Sequence, residues 1–186
     1  MDVRDLRDDI PALEGGRYLN WGASGPSPRR VVDAVETALE YHEYAAPTRE
    51  GMYPAASEVI EETRSRVADF VGAEPTEIAL TQSTTDGINR IATAIDWSAD
   101  DELVITDVER SAGRLPWYRL VREYGVTVSV LETEAGRIDL DELAAMADDA
   151  TLVCFSAVDW LYGRRHPVAD VADVVDSAGA LSLVDA

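Results

Sequence analysis

The 186-residue chain contains no lysine; all 16 of its basic residues are arginine. No lysine base, covalent lysine anchor or phosphate-loop lysine can therefore come from it. There is one cysteine, Cys154, which excludes an internal disulfide framework. The two histidines, His42 and His166, are far apart and lack partners at ligand spacing, so no metal site is expected. No run of eighteen apolar residues occurs, and nothing is expected to span a membrane. The N-terminal stretch MDVRDLRDDI is charged and has no apolar centre, unlike a secretory signal. A cytoplasmic location is the default expectation. Positive charge is also scarce: 36 acids stand against 16 arginines, for a net charge of -20. Nucleic acid and anionic membrane surfaces need a basic footprint, so neither is an expected partner.

What is present is a globular composition, with 46% apolar residues. That is too apolar for a disordered acidic tail. Aspartate outnumbers glutamate, 20 to 16. Strong acidity without lysine resembles the proteins of salt-loving microbes, in which high salt screens self-repulsion. A halophilic protein is the expectation.

The first 80 residues read as helices and loops. A short charged helix covers Val3 to Ile10. Tyr18 to Trp21 is extended, and the loop Gly22-Ala23-Ser24-Gly25-Pro26 follows. Ser27-Pro28 is a helix start, with Pro at the first helical position and the helix running to about Tyr44. Pro47 to Pro54 reads as a loop. A further helix from about Ala55 to Val71 places Val59, Ile60, Val67 and Phe70 inward, and Gly72 ends it.

A regular alternation then begins. Strands are expected at Ile78–Leu80, Leu103–Ile105, Thr127–Leu131, Leu152–Phe155 and Leu181–Val184. Helices fall between them, at Thr84–Ile95, Leu115–Tyr124, Leu140–Met146 and Val168–Ser177. Short apolar strands alternating with helices predict an α/β fold: a three-layer α/β/α arrangement around a mostly parallel sheet. Ligands of such sheets sit at the carboxyl ends of the strands.

Several residues fall at those ends. Thr81-Gln82-Ser83-Thr84-Thr85-Asp86-Gly87 leaves a strand and opens a helix. Its hydroxyls and free N–H groups suit either plain capping or a phosphate. Asp185 closes a strand, where its carboxylate either faces the ligand crevice or caps a following helix. Arg110 and Arg114 are cations near the crevice, suited to an anion or to salt bridging. Trp117 and Cys154 read as core residues.

Taken together, these segments resemble the class V aminotransferase family with its cysteine desulfurase branch, enzymes of fold type I that use pyridoxal phosphate. Tyr18 to Pro26 is similar to the family's N-terminal substrate loop, which implies substrate-side roles for Ala23 and Ser24. Thr84-Thr85-Asp86-Gly87-Ile88-Asn89 is similar to its phosphate cup. Glu109 to Trp117 matches the segment that lays a side chain over the cofactor ring. Gly136-Arg137-Ile138-Asp139 matches a turn before a helix. Ser156 to Gly163, with Pro167-Val168, matches the loop at the ring edge. Leu183-Val184-Asp185-Ala186 matches the strand bearing the pyridine aspartate.

The resemblance implies pyridoxal 5'-phosphate as cofactor, with Thr84, Thr85, Arg110, Trp160 and Asp185 as binding residues. Asp185 is also the catalytic residue it implies. It implies an amino-acid substrate and a homodimer. Two positions depart from the pattern. Arg110 stands where a histidine usually stacks on the ring. In the ring-edge loop, Ala157 and Trp160 stand where desulfurases carry histidine and asparagine, which weakens the desulfurase reading. The family's Schiff-base lysine lies beyond the aspartate strand. On this expectation residues 1–27 are an arm and substrate loop. Residues 28–186 are then a partial large domain of the pyridoxal-phosphate-dependent transferase type, truncated before that lysine. The full-length protein is then an enzyme and this chain alone is not. The competing readings are a non-catalytic homologue that binds in the cleft and an inactive gene fragment.

Overall fold

The computed structural model describes residues 2–186, which fall into two compact units, 2–80 and 81–186.

The first unit is helical. Helix α1 spans Val3–Asp8 and opens with a capping box between Asp2 and Asp5. Helix α2 spans Arg29–Glu40, one residue later than Pro28 suggests, because Pro28 takes the extended cap position. A π turn continues it over Tyr41–Ala45. Helix α3 spans Met52–Val71 and starts earlier than expected, since Pro54 sits in the first turn, where its missing N–H costs nothing. Gly72, at φ 75°, closes it as a left-handed cap.

Two expectations fail here. Ile78–Leu80 forms no strand, and the sheet has four strands rather than five. A strand exists only when its backbone groups find a neighbouring strand, and Leu80 is instead exposed. The apolar stripe of α3 also does not point inward. Val59, Ile60 and Phe70 are exposed, Phe70 at 90%, while Ala55 and Ala68 are the buried positions. An apolar period reveals an apolar face, not the surface that covers it.

The second unit is the α/β layer structure the alternation predicts. Helix α4 is Thr84–Ala94, strand β1 Glu102–Thr106, helix α5 Leu115–Tyr124 and strand β2 Thr127–Leu131. Helix α6 is Leu140–Ala147, strand β3 Leu152–Ser156, helix α7 Val168–Ser177 and strand β4 Leu181–Asp185. All strand pairs are parallel, in the order β2-β1-β3-β4.

Side-chain alternation along the strands feeds two cores. Leu103, Ile105, Leu152 and Cys154 pack with Ile88 and Ala92 of α4 and Trp117 and Leu120 of α5. Val104, Val153 and Phe155 point the other way, against Leu143 and Ala147 of α6 and Val171 and Val175 of α7. Strand β3 is buried along its whole length, as expected of an inner strand covered on both faces. Because the strands run parallel, Thr106, Leu131, Ser156 and Asp185 all finish at one edge of the sheet.

Candidate functional site

At that edge the first structural anchor is Glu109, three residues beyond β1 and only 3% exposed. Its Oε1 accepts hydrogen bonds from Thr106 Oγ1 at 2.6 Å and from the Ser156 N–H at 3.1 Å. Its Oε2 accepts from Ser156 Oγ at 2.7 Å. One carboxylate thus ties the end of β1 to the end of β3. It also lies against the turn Ser111–Gly113, where a Cβ on Gly113 would come 3.2 Å from Glu109 Oε2. Arg110 sits between these two features in extended conformation and is exposed.

Helix α4 presents its N-terminus in the same unit. Ser83 Oγ caps it by accepting from the Asp86 N–H at 3.2 Å. The N–H groups of Thr84 and Thr85 occupy the first two helical positions, which have no acceptor within a helix. Both threonines are exposed. Asp86 turns back to accept from the Gln82 N–H at 3.2 Å and from Arg90 Nε at 3.1 Å. These contacts hold its carboxyl below the usual carboxylate range, the Gln82 bond foremost. They also direct its charge toward Arg90. Thr85 lines an open cavity of about 350 Å³ with Asn89, Ser111, Ala112, Arg119 and Arg122. The helix start and the segment after Arg110 are therefore neighbours.

Asp185 ends β4 beside Ser156 in register. Its carbonyl accepts from the Ala157 N–H at 2.7 Å, which extends the sheet by one bond into the loop after β3. Its side chain is half-buried. Cys154 lies one turn of the pleat below. Burial first, then the charge of Glu109 and, more weakly, that of Asp185 push its thiol up to about 12. Such a thiol stays protonated and is a core group, not a nucleophile.

The loop after β3 is built on Asp159, which is 1% exposed. Its Oδ1 accepts from the N–H groups of Leu161 at 3.0 Å and Tyr162 at 2.5 Å. Its Oδ2 accepts from the Arg164 N–H at 2.8 Å. This carboxylate-centred turn carries Trp160 outward, 58% exposed.

Ala23 and Ser24 belong to the first unit. The Ala23 N–H donates to Asn20 O at 3.1 Å, and Ser24 O accepts from Tyr18 Oη at 2.6 Å. Trp21 stands edge-on to Tyr18, with ring centres 5.7 Å apart. A Cβ on Gly25 would fall 2.8 Å from the Trp21 ring, so a larger residue there would displace that ring.

Within the second unit, then, the structure gathers Thr85 with the segment after Arg110, and Asp185 with the Ser156 loop that leads to Trp160. Reasoning from sequence missed the carboxylates underneath, Glu109 and Asp159. For Glu109 the signal was its position three residues past a buried strand end. For Asp159 it was an aspartate in a loop, a residue type whose side chain closes turns on the backbone two residues on.

The donor set suits a phosphorylated, cationic aromatic ring. Open helix N–H groups and threonine hydroxyls match a phosphate, a half-buried carboxylate matches a protonated ring nitrogen, and a guanidinium can lie on an aromatic face.

The family profile described as Aminotransferase class-V matches residues 17–186. The chain is 34% identical over 191 residues to a probable cysteine desulfurase of Methanothermobacter thermautotrophicus, spanning 100% of this chain and 47% of that protein. The apo structure of the cysteine desulfurase of Thermococcus onnurineus superimposes with a TM-score of 0.87 at 28% identity, over 100% of this chain and 48% of that one. The structure of C-DES with glycine covalently linked to its PLP cofactor gives a TM-score of 0.88 at 22% identity, over 97% and 49% of the two chains, a likeness of fold. The chain thus spans about half the length of the relatives it matches.

Proposed function

Because this chain belongs to the aminotransferase class-V family, we propose that it is the part of a pyridoxal 5'-phosphate-dependent enzyme that holds the cofactor, and that the whole protein acts on amino acids. The single observation that carries the reading is the joint placement of an open helix N-terminus, Arg110 and Asp185 in one unit whose strands all end at the same edge.

In this reading residues 28–186 supply the cofactor-binding part and residues 1–27 the arm with the substrate loop at Ala23 and Ser24. Bound there, pyridoxal phosphate supplies an electron sink for bond cleavage next to an amino acid's nitrogen. The chain's own residues do the rest. The Thr84 and Thr85 N–H groups and the Thr85 hydroxyl hold the phosphate at the positive end of α4. Asp185 accepts a hydrogen bond from the ring nitrogen and keeps its proton in place. Arg110 covers one ring face, and Trp160 borders the ring edge. Glu109 positions Arg110 by anchoring both flanking strand ends. The protein works as a cytoplasmic homodimer, and the exposed apolar stripe of α2 offers contact surface for it. It is halophilic, with a charge of -20 that concentrated salt screens. Among the described residues, no helix is long and apolar enough to cross a membrane.

The test is a titration of the chain with pyridoxal phosphate in concentrated salt, followed by absorbance. Saturable binding is expected, and Asp185→Asn should weaken it about tenfold or more, the size of one charged hydrogen bond. Thr85→Ala should weaken it by about fivefold. Equal affinity in all three proteins would reject the assigned contacts.

A further inference from the structure

The groove between α4 and α5 carries positive charge that the chain itself only partly matches. Its walls include Thr85 and Asn89 on α4, Ser111 in the turn before α5, and Leu115, Arg119 and Arg122 on α5, around an open cavity of about 350 Å³. Arg119 and Arg122 follow Leu115 by four and seven residues, so the three share one face of the helix. Both guanidinium groups therefore border the same space.

A guanidinium has five N–H donors and no acceptor. Among the described residues, neither of these two makes a hydrogen bond. Arg119 Nε is shielded from solvent and still lacks an acceptor. Glu123 Oε2 stands 3.7 Å from it, an ion pair beyond hydrogen-bond length. Arg122 has no ion-pair partner among the described residues. The neighbouring arginines are differently placed. Arg90 Nε donates to Asp86 at 3.1 Å, and Arg114 Nη2 donates to Tyr118 Oη at 3.2 Å. With a net charge of -20, acids are plentiful on this chain, yet the pair in the groove has only Glu123. The hydroxyls of Thr85 and Ser111 are further donors on the same walls, while the Asn89 amide is committed to Thr85 O at 2.8 Å.

The cationic end of the groove is not the end at the candidate cofactor site. Helix α5 follows β1 and so starts at the carboxyl edge of the sheet, and α4, which precedes the same strand, starts there too. At about 1.5 Å of rise per residue, Arg119 lies about 6 Å and Arg122 about 10 Å along the helix from Leu115. The Thr84 and Thr85 N–H groups are at the start of α4. An anion on the two arginines is thus one to two helical turns away from an anion held there.

We propose that Arg119 and Arg122 form a second anion site in this groove, one that takes an oxyanion of the phosphate class. Such an ion offers several acceptors at once to donors that the protein leaves unbonded, and it replaces Glu123 as the counter-charge of Arg119. Nothing in this site depends on whether pyridoxal phosphate binds at the sheet edge.

The experiment is side-chain NMR of the chain labelled with 15N-arginine, titrated with inorganic phosphate in concentrated potassium chloride at constant ionic strength. The Arg119 Nε–H signal, identified by its loss in Arg119→Gln, should shift saturably. Arg122→Gln should weaken phosphate binding about fivefold, and Glu123→Gln, which removes the competing carboxylate, should tighten it about threefold. One equivalent of pyridoxal phosphate should leave the curve in place. A shift that never saturates and is alike in all variants reports ionic screening only and overturns the site. So does a curve that pyridoxal phosphate abolishes and Arg122→Gln leaves unmoved, because the ion then sits at the start of α4. If pyridoxal phosphate fails to bind while phosphate still saturates at Arg119, the cofactor assignment falls and the second site stands.

Discussion

The two units of this chain use the same kind of helix to different ends. In Thr81–Ala186, α4, α5, α6 and α7 each bury apolar residues against a face of the sheet. In Met1–Leu80, α2 buries none of its residues, and Val35, Leu39 and Phe70 lie open. An amphipathic period is present in helices of both units. What differs is that the second unit contains a sheet whose faces receive its helices, while the described residues of the first form no named strand. The difference predicts where stability resides, and the following substitutions test it from the largest effect to the smallest.

Trp117 is fully buried between α5 and the sheet. Trp117→Ala should cost about 3–5 kcal/mol in denaturant-induced unfolding. A loss below one kilocalorie would mean that the second unit is not the stable one. Glu109→Ala should come next. It leaves the Ser156 N–H without its acceptor, at about 1–3 kcal/mol for one buried group left unmet, while the Thr106 and Ser156 hydroxyls can rotate to other acceptors. Urea midpoints of Glu109→Ala and wild type check it. Ser83→Ala removes the cap of α4 and should cost about 1 kcal/mol, read from the same midpoints.

Acid gives a smaller effect with a defined sign. Thr151 Oγ1 donates to Asp101 at 2.5 Å, and the Ser98 N–H adds a second bond at 2.6 Å. These bonds, the Thr151 bond first, hold the Asp101 carboxyl below its ordinary value. The stabilisation is therefore complete above the ordinary value of about 3.9. It is lost as pH falls through the lower folded value. Asp101→Asn should flatten the acid limb of a melting-temperature profile and leave its neutral part parallel to wild type. Least of all, Phe70→Ala should change stability by less than about 0.5 kcal/mol, since its ring is 90% exposed. A larger loss would show that the α3 stripe is covered in solution.

The same comparison explains what could be read from the sequence. Helix α5, strand β2 and helix α7 begin and end where the pattern places them, because each is a local period bounded by its own punctuation. Gly125, at φ 80°, closes α5, and Pro167 precedes α7. Ile78–Leu80 shares the apolar character of β1 but pairs with no strand, and pairing is a property of neighbours rather than of the segment. Phe70 was misplaced for the same reason. The burial of Glu109, Asp159 and His166 escaped notice because charge in an acidic chain reads as surface. Only the partners supplied by Ser156, Gly136 and the loop backbone make burial affordable for them. The threonines of α4 and Asp185 were legible because strand ends and helix starts are marked locally.

The central claim is that the second unit carries the cofactor site at the carboxyl edge of its sheet. A crystal structure of the protein with pyridoxal phosphate tests it most directly. The account predicts the phosphate on the Thr84 and Thr85 N–H groups, the ring nitrogen within hydrogen-bond distance of Asp185, and the Arg110 side chain over the ring. Pyridoxal phosphate bound elsewhere, or bound at α4 with its ring nitrogen turned away from Asp185, would contradict it.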